Sequence, residues 1–197
     1  MDPNWAKWHE ARQDKRNLVP EFSSRVDHLI ASARKIGVEL RLGTGLRHPQ
    51  FQADMWCSSR TVHVIQRRID LLTKAGAPTL ASMLSTHLAG SVPYETTEHL
   101  PGQSWHQWGM AADLYFVAGN TAQWTGPLFR MISSLINAAD LIHYTNHETL
   151  FGKPHHVQLN RHVSAFDSRQ FLEGWADAES RLLRAFRITK LEQHIEE

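Results

Sequence analysis

The chain has 197 residues, of which 42% are hydrophobic and 21% are charged, proportions that are ordinary for a globular protein. Its length suffices for a buried core without disulfide staples, so one domain is the simplest expectation. The 21 basic and 20 acidic side chains leave a formal charge of +1, which predicts no nucleic-acid partner. No run approaches the ~20 apolar residues that span a bilayer, so we predict no stable membrane insertion.

Hydrophobic periodicity predicts a mixture of helices and strands along the chain. In order, the expected elements are a helix at 21–36, a strand at 38–42, helices at 59–75 and 78–87, a strand at 111–117, a helix from Pro127 and further strands within 140–160. Gly37 ends the first helix, and a turn at 43–45 follows the first strand. Because no regular βαβ repeat is present, we predict an α+β fold in which helices flank a small antiparallel sheet.

The tail from residue 164 to residue 197 differs in character from the rest of the chain. Asp167 and Gln170 resemble a capping box, and apolar residues at helical spacing follow them. We therefore predict a C-terminal helical extension, residues 164–197, that packs on a main domain of residues 1–163. The same amphipathic pattern also fits a helix that binds a partner.

Cys57 is the single cysteine, so no intramolecular disulfide can form and a reducing compartment is expected. No base adjoins it in the sequence, which argues against a catalytic thiol and favours a small buried residue. The N-terminal segment has scattered charges and lacks the apolar core of a secretory signal. We therefore expect no signal peptide and synthesis in the cytoplasm.

A histidine and a carboxylate stand seven residues apart, on either side of a glycine, within residues 100–115. Gly109 permits a turn between His106 and a strand that carries Asp113, so the two side chains can converge across the bend. Imidazole nitrogen and carboxylate oxygen both suit Zn²⁺, which in catalytic sites takes three protein ligands and keeps a fourth position for water. Both residue types are common, so this pair alone leaves a chance arrangement equally open.

The missing third ligand is offered by a second motif, FGKPHHVQLN, in which His155 and His156 open a short extended run after a proline. Adjacent strand residues point to opposite faces of a sheet. Only one of these two histidines can therefore readily join the first pair, and the other should face solvent, the core or a substrate.

These motifs resemble those of the M15 zinc peptidases, the D-alanyl-D-alanine carboxypeptidases and L-alanyl-D-glutamate endopeptidases that include many phage endolysins. The first family signature, Ser-x-His-x-x-Gly-x-Ala-x-Asp, is matched at Ser104, His106, Gly109, Ala111 and Asp113. The last signature and the arginine turn are matched at His156, Val157, Gln158, Arg47 and Gln52. The likeness spans roughly residues 40–160 and implies that His106, Asp113 and His156 bind Zn²⁺.

The resemblance also implies roles around the metal. Arg47 is expected to contact the substrate or the developing oxyanion, with a structural salt bridge as the alternative. Gln52 is expected to hold the arginine turn or the peptide, and Ser104 to hydrogen-bond near the metal. We therefore predict all three as substrate-binding residues, and Arg47 as a catalytic residue as well.

One departure from the family concerns the general base. The family has an acidic residue three positions before the last histidine, where this chain has Lys153. The nearest upstream acid is Glu148, which we predict as the catalytic proton shuttle ahead of His155. His147 and His143 are further alternatives, since imidazole titrates near neutral pH. Loss of the base without replacement would cost roughly 10²–10⁴-fold in rate.

Together these observations predict a zinc metallopeptidase that hydrolyses a peptide bond in peptidoglycan stem peptides. It would act as an endolysin-like endopeptidase or as a D,D-carboxypeptidase. The alternative is a catalytically impaired zinc-containing module, kept for wall binding or structure, that has lost the usual base. A substrate in the cell wall implies release through a holin or a secretion system, or a place in a virion.

Overall fold

The computed structural model describes residues 12–58, 60–86, 97–143, 155–159 and 168–186, the last range without the side chains of residues 168–173. Seven α-helices lie in these ranges: α1 (Pro20–Lys35), α2 (Pro49–Cys57), α3 (Val62–Lys74), α4 (Pro78–Ser85), α5 (Pro127–Met131), α6 (Ser133–Ala138) and α7 (Ser168–Phe186). The strands are β1 (Leu40–Thr44), β2 (Ala111–Ala118), β3 (Thr121–Gln123), β4 (Leu141–His143) and β5 (His156–Leu159). Short 3-10 helices lie at Lys15–Asn17 and Trp105–Trp108.

The chain divides into two compact units. The first combines Met1–Arg47 with Trp108–His162 and holds the whole sheet together with α1, α5 and α6. The second combines His48–Gln107 with Val163–Glu197 and holds α2, α3, α4 and α7. The antiparallel sheet with flanking helices confirms the predicted α+β class. The predicted domain boundary after residue 163 stays a prediction.

The sheet has the strand order β1-β2-β5-β4, and its described pairings are antiparallel. β2 is the central strand. It pairs with β1 along one edge, while β3 and β5 both pair with its other edge, because Phe116 and Asp113 each have partners on two sides. β3 and β5 therefore lie end to end, although a long stretch of chain separates them. The β1–β2 register shifts between Leu42 and Thr44, which places a bulge at Gly43.

One face of this sheet is apolar and packs on helices. Alternate residues of β2 on this face, Leu114 and Phe116, are at most 1% exposed. α1 covers them with buried residues at helical spacing, and α5 and α6 extend the same cluster. Each large side chain buried here contributes about 1.5–3 kcal/mol to folding. The cluster's largest members are Phe22, Leu29, Leu114, Phe116, Phe129, Ile132 and Ile136.

The ends of α1 follow from its sequence. Pro20 occupies the first helical position, where its missing N–H costs nothing, and Gly37 follows the last turn with φ +78°. Both features agree with the predicted helix at 21–36.

Three elements differ from the expectations. The turn after β1 continues into α2, which the hydrophobic pattern does not predict; it starts because Pro49 fits its first turn and His48 Nδ1 accepts a hydrogen bond from the Gln50 N–H. The segment between β2 and Pro127, for which no element is predicted, contains β3. The helix from Pro127 is two short helices, because Ile132 leaves the helical conformation between them.

In the second unit, α7 is tied to α4 by a buried carboxylate. Glu179 is 3% exposed, and its Oε2 accepts a hydrogen bond from the Leu80 N–H at 2.8 Å. The donor lies in the first turn of α4, where a negative charge is favoured by the helix dipole. Nearby, Trp175 and Leu182 are buried. α7 is thus anchored by both polar and apolar contacts.

Cys57 lies at the end of α2 and is 1% exposed. Burial raises the pKa of its thiol to about 12, so the thiolate does not form near neutral pH. This confirms the prediction of a small buried residue. Among the described residues no helix has the length and apolar character needed to cross a membrane.

Candidate metal centre

Asp113 and His156 lie on the face of the sheet opposite the apolar cluster. Alternation along β2 turns Asp113 away from the face of Leu114, and the β2–β5 register places Asp113 directly opposite His156. Their side chains meet, with Asp113 Oδ1 3.1 Å from His156 Nδ1. The two side chains are only 7% and 17% exposed, so the pair is largely shielded from water.

His106 is placed by a tight turn just before β2. It lies in the 3-10 helix Trp105–Trp108, after which Gly109 adopts φ +66°. A side chain at Gly109 would meet the backbone of the segment before α1 at 2.9 Å, so both conformation and space require glycine. The predicted convergence is observed: one ligand atom from each of His106, Asp113 and His156 lies within 4.8 Å of the others.

This donor set fits a zinc ion. Imidazole nitrogen and carboxylate oxygen are both zinc ligands, and three protein ligands are usual in catalytic zinc sites. Zinc–ligand bonds of about 2.0–2.2 Å at tetrahedral angles place neighbouring donors roughly 3.4 Å apart. The 3.1 Å between Asp113 Oδ1 and His156 Nδ1 is close to that spacing. These residues could therefore hold zinc with little rearrangement.

Arg47 binds the second oxygen of Asp113. Its Nη2 donates to Asp113 Oδ2 at 2.9 Å, and both side chains are buried. The charge-assisted bond fixes the carboxylate so that Oδ1 faces His156. The salt bridge that the sequence offered as the alternative for Arg47 is therefore present, and its contact with substrate stays a prediction.

Gln158 orients the ring of His156. It lies two residues further along β5 on the same face, and its Oε1 is 3.2 Å from His156 Nε2. Because an amide oxygen only accepts hydrogen bonds, this contact requires a proton on Nε2, and a metal bound at Nδ1 would leave that proton in place. Nδ1 is the nitrogen that faces Asp113. The ring is thereby prepared to bind a metal through Nδ1.

Trp124 lies beside these donors on the same face of the sheet. Its indole packs against Tyr115, which is two residues from Asp113 along β2, with ring centroids 5.0 Å apart. It packs edge to face against His155 at 5.8 Å, and the His155 Nδ1–H donates to the Trp124 carbonyl at 3.0 Å. The indole also covers Gly43, where an added Cβ would lie 2.1 Å from it.

Gln52 and Ser104, the other predicted substrate-binding residues, are buried. Gln52 lies in α2, and its Nε2 donates to the His99 carbonyl at 2.6 Å, a contact that holds the chain segment around residue 99. Ser104 immediately precedes the second 3-10 helix, and its carbonyl accepts a hydrogen bond from the Gln107 N–H at 3.0 Å. Their contacts with substrate stay predictions.

Only some of the candidates for the general base lie among the residues that the structure describes. Glu148, Lys153 and His147 lie outside them. His143 pairs with Val157 in the β4–β5 register and so lies on the apolar face, across the sheet from Asp113. This placement argues against His143 as a proton shuttle. His155 is next to the donor His156 in the chain. The hydrogen bond from His155 Nδ1–H to the Trp124 carbonyl leaves the lone pair of the neutral His155 ring on Nε2.

Two residues that the motifs do not single out help to shape the site. Gln107 is 1% exposed, and its Oε1 accepts a hydrogen bond from the Gly102 N–H at 2.6 Å, which closes the turn that carries His106. Its signal in the sequence is weak, because it occupies a variable position of the signature. Trp124 is far from Gly43 in sequence, so no local pattern indicates their contact.

The donor group and the sheet that carries it define a metallopeptidase-type centre. The family profile described as VanY, D-alanyl-D-alanine carboxypeptidase, matches residues 15–144 of the chain, more than half of its length. The chain therefore belongs to this family. Membership confirms the predicted family and the predicted class of zinc peptidase acting on peptidoglycan. No curated protein sequence matches the chain.

Several solved structures are similar to the chain. The Serratia marcescens L-Ala D-Glu endopeptidase ChiX is 16% identical, with a TM-score of 0.40 over 77% of this chain and 86% of that one. A variant of the vancomycin-resistance D,D-pentapeptidase VanY in complex with Zn(II) is 17% identical, with a TM-score of 0.43 over 86% and 83%. The LD-carboxypeptidase LdcB is 16% identical, with a TM-score of 0.41 over 88% and 70%.

Proposed function

We propose that the chain is a zinc-dependent D,D-carboxypeptidase that removes the terminal D-alanine from peptidoglycan stem peptides. The observation that carries this proposal is the convergence of His106, Asp113 and His156 in a chain of the VanY family. The family description supports the substrate class, and the donor set suits the metal that such a hydrolase uses.

Zinc, when bound, supplies polarisation of the scissile carbonyl and activation of the attacking water. The protein holds the donors in position. Arg47 restrains the carboxylate of Asp113 through Oδ2, and Gln158 orients the ring of His156 through Nε2, so that Nδ1 faces Asp113. Donors that are already oriented require less rearrangement when the metal binds, which favours affinity.

Arg47 is proposed to serve the substrate as well as Asp113. A guanidinium carries five N–H donors in one plane, so the bond to Asp113 does not preclude a second one. Negative charge develops on the carbonyl oxygen as water adds to the carbon, and a permanent cation stabilises that charge. Gln52 and Ser104 are proposed to position the arginine turn and the peptide.

Hydrolysis also requires a proton carrier. The water oxygen bonds to the carbonyl carbon, the C–N bond breaks, and the proton removed from water ends on the amine of the departing D-alanine. We propose Glu148 for this role, with His155 as the alternative. His155 is supported by its hydrogen bond to the Trp124 carbonyl, which fixes its ring and its tautomer.

The competing proposal is an endopeptidase that cuts within the stem peptide. The family description favours the carboxypeptidase. Delivery to the cell wall through a holin or a secretion system, or in a virion, stays a prediction.

The test uses a purified stem peptide that ends in D-Ala-D-Ala, incubated with the zinc-loaded protein and with chelator-treated protein. We expect mass spectrometry to show loss of a single alanine, which stops on chelation and returns when zinc is added. A product with a new internal amino terminus would replace the carboxypeptidase with an endopeptidase. Binding to peptidoglycan without any hydrolysis would favour the wall-binding module.

Matched variants locate the reaction at the proposed centre. Asp113→Asn should lower kcat/KM by about 10³-fold or more, because a metal contributes several kcal/mol of charge stabilisation. His28→Gln, which changes an exposed histidine of α1, should leave the rate unchanged. If Glu148→Ala keeps the full rate, Glu148 is not the base, and His155→Gln becomes the deciding variant.

A further inference from the structure

We propose that Trp124 forms the apolar wall of a substrate subsite beside the metal donors. The occupant is the methylene chain in the side chain of the stem-peptide residue that precedes the D-Ala-D-Ala end. This proposal rests on the proposed function, because it takes such a peptide as the substrate.

The position of the indole is the first support. Tyr115 and Asp113 alternate onto the same face of β2, and the indole packs on Tyr115. The Cβ position of Gly43 lies 2.1 Å from the indole and 3.2 Å from the backbone oxygen of Asp113. Trp124 thus stands on the same face as the donors and next to them.

Exposure is the second support. The Trp124 side chain packs on Tyr115, His155 and Gly43, yet the residue is 39% exposed. An indole held on several sides and open on the rest offers a fixed apolar surface to a ligand. Its mobility is limited further by the bond between its carbonyl and the His155 ring.

Distance along the strand selects the occupant. The indole reaches from Gly43, beside Asp113, to Tyr115, which lies about 6.7 Å further along β2. A D,D-carboxypeptidase substrate ends one residue after the cut bond, so it extends this far only on the acyl side. The methyl group of the alanine at the cut bond can cover only a small part of a surface of this length. The next residue upstream, about one extended-chain step further, can reach it with an aliphatic side chain.

The absence of a side chain at Gly43 leaves space for the indole of Trp124. Any side chain at this position would clash with the ring atoms of Trp124 and push the indole off the sheet. Glycine at the bulge of β1 is therefore part of the subsite, although it makes no polar contact.

The experiment compares two substrates, N-acetyl-norleucyl-D-alanyl-D-alanine and N-acetyl-glycyl-D-alanyl-D-alanine. Trp124→Ala should lower kcat/KM for the norleucyl peptide about tenfold, the effect of exposing roughly two methylene groups. For the glycyl peptide the change should stay within about twofold. Trp124→Phe should recover part of the norleucyl preference, because an aromatic face remains.

A second pair of variants tests the contact between Trp124 and the substrate by changing Gly43 instead of Trp124. Gly43→Ala should reproduce the selective loss, because its Cβ displaces the indole. Gly174→Ala in α7 is the matched control: its added Cβ meets nothing within 4 Å, and wild-type selectivity should persist.

Equal losses for both substrates in Trp124→Ala, or no loss for either, would overturn the subsite. Saturation-transfer NMR with metal-free protein separates this result from failure of the proposed function. The norleucyl methyl signal should receive saturation from wild type and lose it in Trp124→Ala. If wild type cleaves neither peptide, the proposed function fails, and the NMR comparison still decides whether Trp124 contacts the side chain.

Discussion

The two faces of β2 carry side chains of opposite character on one backbone. On one face, Leu114 and Phe116 are buried against α1, α5 and α6. On the other, Asp113 is buried against Arg47 and His156. Alternation along a single strand thus joins the hydrophobic core to the metal centre with no intervening layer.

The contrast between the two faces of β2 indicates which face stabilises the fold. Burial of apolar side chains is favourable by about 25 cal/mol per Å² of area removed from water. A buried ion pair, by contrast, gains little net free energy, because desolvation of the two charges offsets their attraction. We therefore expect the apolar face to determine stability and the polar face to determine metal affinity.

The largest effect is expected from Phe22→Ala, which removes a fully buried ring of α1 from the apolar face. The free energy of unfolding, measured by urea denaturation, should fall by about 3–5 kcal/mol. The zinc affinity of the folded protein should change by less than about threefold. Ile36→Ala, just after α1 and 56% exposed, is the control and should cost no more than about 0.5 kcal/mol. A tenfold loss of zinc affinity in folded Phe22→Ala would show that the faces are coupled.

A smaller effect, confined to the polar face, is expected from Gln158→Leu. Loss of the acceptor for the Nε2 proton of His156 should weaken zinc binding about 10–100-fold in competition with a chelating dye. Gln158→Glu keeps an acceptor oxygen and should bind zinc more tightly than Gln158→Leu. If the leucine variant binds zinc as tightly as wild type, the orientation of His156 does not depend on Gln158.

The smallest effect concerns the pH dependence of stability through His143, a polar group on the apolar face. Burial lowers the pKa of this imidazole, and its Nδ1 has no hydrogen-bond partner among the described residues. The unfolded chain therefore binds this proton more readily, so stability falls as the pH drops through about 6.5 toward the lower folded-state pKa.

His143→Phe should remove that part of the acid sensitivity, measured as the difference in unfolding free energy between pH 7.5 and pH 5. His28→Phe, on the exposed side of α1, should retain it. An unchanged difference in His143→Phe would mean that this ring does not contribute.

The features predictable from the sequence are those that local rules determine. Pro20 and Gly37 mark the ends of α1 because proline and glycine have fixed conformational preferences. The turn at Gly109 lies within one short motif that also contains His106 and Asp113. The alternation rule leaves one histidine of the second motif for the metal, and the family resemblance selects His156.

The remaining features depend on contacts between distant parts of the chain. Arg47 and Asp113 are 66 residues apart, so their ion pair follows from the β1–β2 register, which no sequence pattern specifies. The indole of Trp124 covers Gly43 for the same reason. α2 is not predicted from the sequence, because its buried face mixes polar and apolar residues and the hydrophobic periodicity is therefore weak.

The end-to-end arrangement of β3 and β5 has a consequence for the order of folding. Asp113 and His156 are 43 residues apart, and they meet only when β5 docks on the edge of β2 beyond β3. Closing a loop of that length costs conformational entropy, so we expect this non-local pairing to form more slowly than the pairing of β2 with β3. A ligand that binds only the closed sheet stabilises it by mass action. Zinc occupancy would then report whether the last strand has joined the sheet.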